Sequence, residues 1–477
     1  MRNYNLNRKM ENRTKRDVSF LNLLSDFETN FEKGDMILYD ENTYLEIIRF
    51  YEEEFQYDKA IEVTDIALNQ YAYSADFMII KARLLFQSNM HKQALILLDE
   101  AEKNSPYEHD ILVLKIRILA FQGKVEEARD ILFEMKRYVT ADDLSDIYLS
   151  ESFLNEYEQN FGEMYDNLCK SVMSDFTNEE ALERLGLAVQ LCKNFSQSKE
   201  FHKAILNENP YNYLAWYNLG QCLICMGDYE EAIAAIEYSF LVEKDFANGY
   251  LECADLCIQQ KSYRHALTIY ESFLDQFGLN EEVLMNMAEC HYQLRSLPKA
   301  KLLLTKLLKL DPYNDEVHFM LGKCFSKAGR WTKAVNAFHK AIALEENCEE
   351  YYSEIAKAHE ALGSVLEAEK FHFKCVSLGP EQSQYWTDFV AFMLKKGKIS
   401  EAQEILNEAE NHTFGADLLY CQAISCFQLG KKQAAKNYLE EALIEDYAQH
   451  EIIFMINPEL ALDSELMAMI NYYREEQ

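Results

Sequence analysis

The residues from Tyr213 to Phe246, YLAWYNLGQCLICMGDYEEAIAAIEYSFLVEKDF, decide how the whole chain is read. Trp216, Leu219, Gly220 and Leu223 recur at i, i+3, i+4 and i+7 and share one face of a first helix, while Ala232, Ile236 and Phe240 make the matching stripe of a second. Gly227 stands between the stripes, where a left-handed residue ends a helix, and Asp228 follows as an N-cap for the next. Gly220 and Ala232 are small where the two helices must approach closely. The stretch is therefore a helical hairpin, and its apolar faces need neighbours to cover them.

Working outward, the hairpin repeats with a period of 34 residues. Pro106, Pro210, Pro312 and Pro380 are 104, 102 and 68 residues apart, multiples of that period but for one excess of two. Proline fits just after the second helix, where its missing N–H breaks no helical hydrogen bond. The small residue of the second helix recurs as Ala60, Ala94, Ala128, Met164, Ser198, Ala232, Ala266, Ala300, Ala334, Ala368, Ala402 and Ala435. Gly123, Gly227, Gly329, Gly363, Gly397 and Gly430 recur at the hairpin turn. Twelve repeats then start at Glu41, Ala75, His109, Ser145, Glu179, Tyr213, Ala247, Glu281, Asp315, Glu349, Ser383 and Ala416, filling residues 41–449. The two-residue excess near Thr140 to Leu144, with Ser152, Met164 and Ser171 where small apolar residues are expected, predicts an irregular joint near residues 140–178.

The ends read differently. Residues 1–16 carry Arg2, Arg8, Lys9, Arg13, Lys15 and Arg16 against Glu11 alone and make a basic disordered tail. Residues 17–40 place Phe20, Leu23, Leu24, Phe27 and Phe31 at helical spacing and predict an N-terminal capping helix. Residues 450–477, with Ile452, Ile453 and Phe454, then Leu466, Met469, Ile470 and Tyr473, predict C-terminal capping helices, because a stacked array must cover its apolar end faces.

The order Trp, Leu-Gly, Ala, aromatic and Pro resembles the tetratricopeptide repeat (TPR). The chain departs from that pattern at Leu223 and Ile236, where the family usually has aromatics. The resemblance covers about Glu41 to Gln449 and implies an all-α fold, an α-solenoid in which helix-turn-helix repeats wind into a right-handed superhelix. Within the superfamily, the segment from Asn209 to Gly220 and the Pro-Glu-Leu at Pro458 to Leu460 look like those of long bacterial cytoplasmic arrays. It also implies protein or peptide binding in the groove lined by the first helix of each pair. The carboxylate clamp of chaperone-binding members, Lys at position 5 and Asn at position 9, is absent from this sequence.

Composition bounds the function. A hydrophobic content of 49% is ample for a core, and 15 Gly with 6 Pro argue against long irregular loops. A formal charge of -33 repels polyanions, so nucleic acid is not the expected principal partner. The 12 Cys are scattered singly, which fits a reducing compartment. No apolar run reaches the roughly 20 residues of a membrane span, and the basic N-terminus lacks an apolar core. The expectation is a soluble cytoplasmic protein with no membrane insertion.

Cys222 and Cys225 form a C-x-x-C, and Cys253 and Cys257 follow in the next repeat. Both pairs lie inside first helices, and Cys222, Cys290 and Cys324 share a position that wants a small buried residue, so no metal and no cofactor are expected. The sequence has no H-E-x-x-H, no glycine-rich phosphate loop and no G-x-S-x-G elbow, which predicts a protein that is not an enzyme.

The groove is more informative. Positions 2, 5, 9 and 12 of each repeat share the helical face that packing leaves free. Position 5 supplies Tyr217, Leu251, Met285 and Phe319, and position 12 adds Ile224, Ile258 and Tyr292 as an apolar peptide-binding surface. Arg49, Arg83 and Arg117 stand at position 9 of the first three repeats, with Lys323 and Lys357 at the same position of repeats nine and ten, as anion-contacting residues. These residues predict a non-enzymatic scaffold or adaptor that binds a protein segment. The alternative from another class is a helical-repeat RNA-binding regulator that uses the arginine ladder and the basic tail.

Overall fold

The computed structural model describes residue 20, residues 23–30, 38–53, 56–106, 108–137 and 140, and residues 143–475. The basic tail and half of the lead-in segment 17–40, Phe31 of its apolar stripe included, fall outside these residues, as do residues 141 and 142 at the irregular joint. Every regular element among the described residues is helical. The chain divides into two compact units, residues 1–249 and residues 250–477. In the first, the helical residues 23–30 precede the pairs Glu41–Glu53 with Tyr57–Gln70, Ala75–Gln87 with His91–Asn104, His109–Phe121 with Val125–Arg137, Leu144–Tyr157 with Phe161–Ser174, Glu179–Cys192 with Phe195–Glu208, and Tyr213–Met226 with Tyr229–Val242. In the second, Ala247–Gln259, all but its first three residues, pairs with Tyr263–Phe277, Glu281–Gln293 with Leu297–Leu310, Asp315–Lys327 with Trp331–Leu344, Glu349–Leu362 with Val365–Leu378, Ser383–Lys395 with Ile399–Ala409, and Ala416–Gln428 with Lys432–Glu445. The short helices Tyr447–His450, Glu451–Ile456 and Pro458–Leu462 and the longer Ser464–Glu475 close the chain.

Small residues set how closely each pair packs. Ala60, Ala94, Ala128, Met164, Ser198 and the corresponding alanines through Ala435 are all 0% exposed. Their partners on the first helices are as tight: a Cβ on Gly220 would lie 2.4 Å from Ile236 Cγ1, and one on Gly322 would lie 2.3 Å from Phe338 Cε1.

Among the described residues, the turn inside the hairpin takes a left-handed residue in eleven repeats. Gly227 has φ 86°, and the five other glycines at that position have φ between 68° and 75°. Asn89, Gln159, Lys193, Lys261 and Arg295 occupy the same place in other repeats at φ 57–62°. The turn is thus imposed by the packing of the two helices, and a side chain there costs about 1 kcal/mol that glycine avoids.

The turn between repeats is held by side chains. Asn178, Asn212, Asn280 and Asn314 cap the following helix, each side-chain oxygen accepting a backbone N–H at 2.8–3.0 Å. Asn212 also donates from Nδ2 to the Phe176 carbonyl at 2.9 Å, tying two repeats together. The aromatic at position 4 reaches back to the same turn: the indole N–H groups of Trp216 and Trp386 donate to the carbonyls of Pro210 and Pro380 at 2.9 and 2.8 Å. Asn212→Ala removes a cap and a cross-repeat bond together. It should cost about 1–2 kcal/mol, read as earlier amide exchange in Tyr213–Met226. Unchanged protection there would mean that the turn is held by the tryptophan alone.

The fourth hairpin begins one residue before the expected start, at Leu144. Its core serines are paired: Ser145 and Ser171 exchange hydroxyl-to-carbonyl hydrogen bonds at 3.0 and 2.8 Å, and Asn178 Nδ2 donates to Ser145 Oγ at 2.9 Å. Ser150 Oγ is buried without a partner.

Candidate functional site

In the first unit, the first helices carry the arginines read from the sequence. Arg49 is exposed. Arg83 Nη2 lies 3.0 Å from Glu52 Oε2, and Arg117 Nη1 lies 2.6 Å from Glu180 Oε1. The Arg117 guanidinium also lies between two rings, 5.7 Å from the centroid of Phe86 and 5.5 Å from that of Phe153. Arg184 faces Phe153 at 4.2 Å and pairs with Glu156 at 2.5 Å. Phe86, Arg117, Phe153 and Arg184 therefore alternate ring and cation across four repeats, an arrangement in which each cation gains from a ring face as well as a carboxylate. Burial and the neighbouring Glu179 and Glu180 hold the Glu183 carboxyl above its ordinary value, while Arg117 opposes them. Each arginine shown paired here is thus already offset by carboxylates of this chain.

The apolar residues differ from expectation in degree. Tyr217 and Ile224 are half-buried, and the Tyr217 ring meets Phe246 edge-on at 5.1 Å. On the first helices of this unit, more open apolar side chains are Phe121, 64% exposed, Tyr157, 51%, Leu187, 44%, and Leu191, 41%. Three of these stand at position 13, one residue beyond the position chosen from helical geometry. Phe121 packs edge-on against Phe86 at 5.5 Å, so this apolar row adjoins the ring-and-cation stack.

In the second unit, Leu251, Ile258, Met285 and Tyr292 are half-buried. Phe319 is 6% exposed, with its ring 4.6 Å from Tyr351 and 5.7 Å from Phe338, and it serves packing between repeats. Lys323 lies 3.9 Å from Glu350 and 5.2 Å from the Phe319 centroid. Lys357 lies 3.0 Å from Asp388 and 3.7 Å from Glu354. Burial works against the Lys357 ammonium, but the two carboxylates outweigh it and raise its pKa. Lys327, one turn on from Lys323, sits 3.9 Å over the Tyr292 ring. The core hydroxyl of Tyr270 donates to Asp255 at 2.7 Å and accepts from Asn286 Nδ2 at 3.2 Å, linking the interior to first-helix residues of two repeats.

The thiols stay apart from this chemistry. Cys222, Cys253 and Cys257 are buried and Cys225 is exposed. Burial pushes the Cys222 thiol up from its ordinary value. Among the described residues, no group of three or more His, Cys, Asp or Glu is placed to hold a metal ion, and no helix is long and apolar enough to cross a membrane.

Two stretches match family models described as tetratricopeptide repeat, residues 203–234 and residues 297–358. No curated protein matches the chain. Among solved structures, a tetratricopeptide repeat protein from Parabacteroides merdae ATCC 43184 is 17% identical with a TM-score of 0.41, over 54% of this chain and 98% of that one. MamA from Desulfovibrio magneticus RS-1 is 16% identical with a TM-score of 0.32, over 35% and 94%. YrrB, a TPR protein with an unusual peptide-binding site, is 15% identical with a TM-score of 0.32, over 39% and 95%.

Proposed function

We propose, for a chain that belongs to the tetratricopeptide repeat superfamily, a non-catalytic role as a scaffold or adaptor whose first-helix faces bind a protein segment. The observation that carries this is the exposed apolar row of Phe121, Tyr157, Leu187 and Leu191 beside arginines that carboxylates already neutralise. Such a surface gains by burying apolar side chains and offers little net charge to a polyanion. A protein partner is therefore preferred over RNA. On this reading the repeats fill residues 41–449, between a lead-in helix and the closing helices, and the half-buried Tyr217, Leu251 and Met285 are secondary contacts. The free state of all 12 cysteines fits a reducing compartment.

Capture of partners from the native cell on the full chain, followed by mass spectrometry, gives the partner against which variants are measured. Phe121→Ala with Tyr157→Ala and Leu187→Ala should weaken that complex at least tenfold, mainly through faster dissociation, with little dependence on salt. Binding that survives these substitutions unchanged, or that falls steeply with salt and is destroyed by ribonuclease, would move the reading to another face or to RNA.

A further inference from the structure

The closing helices do two separate things. The end of repeat 12 that a further repeat would cover, its second helix Lys432–Glu445, is met by Tyr447–His450 and by Ser464–Glu475. Between those two segments the chain makes the short helix Glu451–Ile456, and this helix packs instead on Ser383–Lys395 and Ala416–Gln428, the first helices of repeats 11 and 12. It buries Ile453 to 1% and Ile456 to 7% exposure in the core shared with Phe389, Val390, Met393 and Ile424. Ten of the 13 residues of Ala416–Gln428 are buried, against seven of 14 in Tyr213–Met226 and eight of 13 in His109–Phe121. The chain that leads into the short helix is held by Tyr420, whose hydroxyl donates to the carbonyl of Asp446, ahead of Tyr447–His450, at 2.9 Å. The helix ends at Asn457, whose backbone N–H donates to the Ile453 carbonyl at 2.9 Å and whose side chain caps the next short helix by accepting from Glu459 N at 3.2 Å.

A helix lying across the first helices of two successive repeats occupies the surface through which the proposed function has the array bind its partner. We infer that the first-helix face of repeats 11 and 12 is a site for a short helix carrying aliphatic residues three apart, and that Glu451–Ile456 is its resident ligand in cis. The partner that takes this site is a protein segment with the same pair of aliphatic anchors, read helix-in-groove at i and i+3. It gains entry when the tethered segment leaves. A tether this short holds the resident helix at an effective concentration of about millimolar, so the site is closed to weak ligands and open to strong ones. This inference rests on the scaffold reading but concerns the second unit alone.

The probe is a fluorescein-labelled peptide of residues 446–462, titrated into the full chain and into the full chain carrying Ile453→Asp and Ile456→Asp. The expected result is at least tenfold tighter binding to the substituted chain, and no binding of a peptide that carries the same two aspartates. Equal weak binding to both chains, with Lys432–Glu445 still protected from exchange, would make Glu451–Ile456 a terminal cap only. Should the substitutions unfold repeat 12, amide exchange of the unsubstituted chain decides: Glu451–Ile456 must open faster than Lys432–Glu445, and opening at one common rate overturns the inference. None of these outcomes touches the Phe121, Tyr157 and Leu187 test, so the scaffold reading can stand if this one falls.

Discussion

Phe338→Ala is expected to cost about 3–5 kcal/mol and to loosen repeats 9 and 10 before the rest of the second unit. The ring is 0% exposed and fills the space left by the missing side chain of Gly322, whose added Cβ would come within 2.3–2.9 Å of three of its carbons. Phe319 packs on its other side at 5.7 Å and is itself pinned by Tyr351 at 4.6 Å. Removing the ring therefore leaves a cavity between two repeats, and alanine methyls cannot move far enough to close it. The complementary change makes the argument quantitative. Gly322→Ala alone should cost about 1–3 kcal/mol from overpacking, although alanine favours the helix by about 1 kcal/mol. Gly322→Ala placed with Phe338→Leu should be less harmful than the sum of the two, because the smaller side chain vacates the contested space. Native-state amide exchange in Asp315–Lys327 and Trp331–Leu344 reads the local loss. Strict additivity of the pair would show that the glycine is there for some reason other than the ring.

The same contact shows what the sequence made legible. Small residues at two fixed places, and apolar stripes at helical spacing, identify the hairpin and its period because those requirements act within 34 residues. The left-handed turn was legible where it is glycine, as at Gly227, and invisible at Lys193 or Arg295, where helix packing forces an ordinary residue into the same conformation. The groove was harder for a physical reason. Whether a position-5 side chain is open depends on residues of the neighbouring repeat, so Phe319 is covered while Tyr217 is half-open. Charge pairing is longer in range still: Arg117 finds Glu180 two repeats away, and nothing in the local pattern of either residue announces the other. The run Ile452, Ile453 and Phe454 signalled burial, which Ile453 meets in full and its two neighbours by half, but hydrophobicity alone does not say that the short helix turns onto the first helices while its neighbours cover the end.

The other large effect should appear on acidification, and it comes from His202. This side chain stands at the second-helix position that Leu98, Leu132, Leu168, Ile236 and Leu304 fill elsewhere, and like most of these it is almost wholly buried. Neither ring nitrogen has a hydrogen-bond partner. Burial disfavours the imidazolium and pulls its pKa from 6.5 down to about 3. The sign follows from proton counting. Between pH 6.5 and about 3 the unfolded chain holds a proton here that the folded chain refuses, so stability is complete above 6.5 and is lost as pH falls through that window. At pH 5 the loss is about 2 kcal/mol, since each pKa unit is worth about 1.4 kcal/mol. His372 occupies the equivalent position in repeat 10 but lies 2.6 Å from Glu360 through Nε2, so its ring has the partner that His202 lacks. His202→Leu should therefore raise stability at pH 7 by about 1–3 kcal/mol, by removing two unpaired polar atoms from a space leucine fits. It should also flatten the acid limb relative to the unsubstituted chain. Urea unfolding of both chains from pH 7.5 to 5, compared as a difference so that other titrating groups cancel, measures both effects. A constant offset with no change in slope would mean that His202 is satisfied and titrates normally in the folded protein.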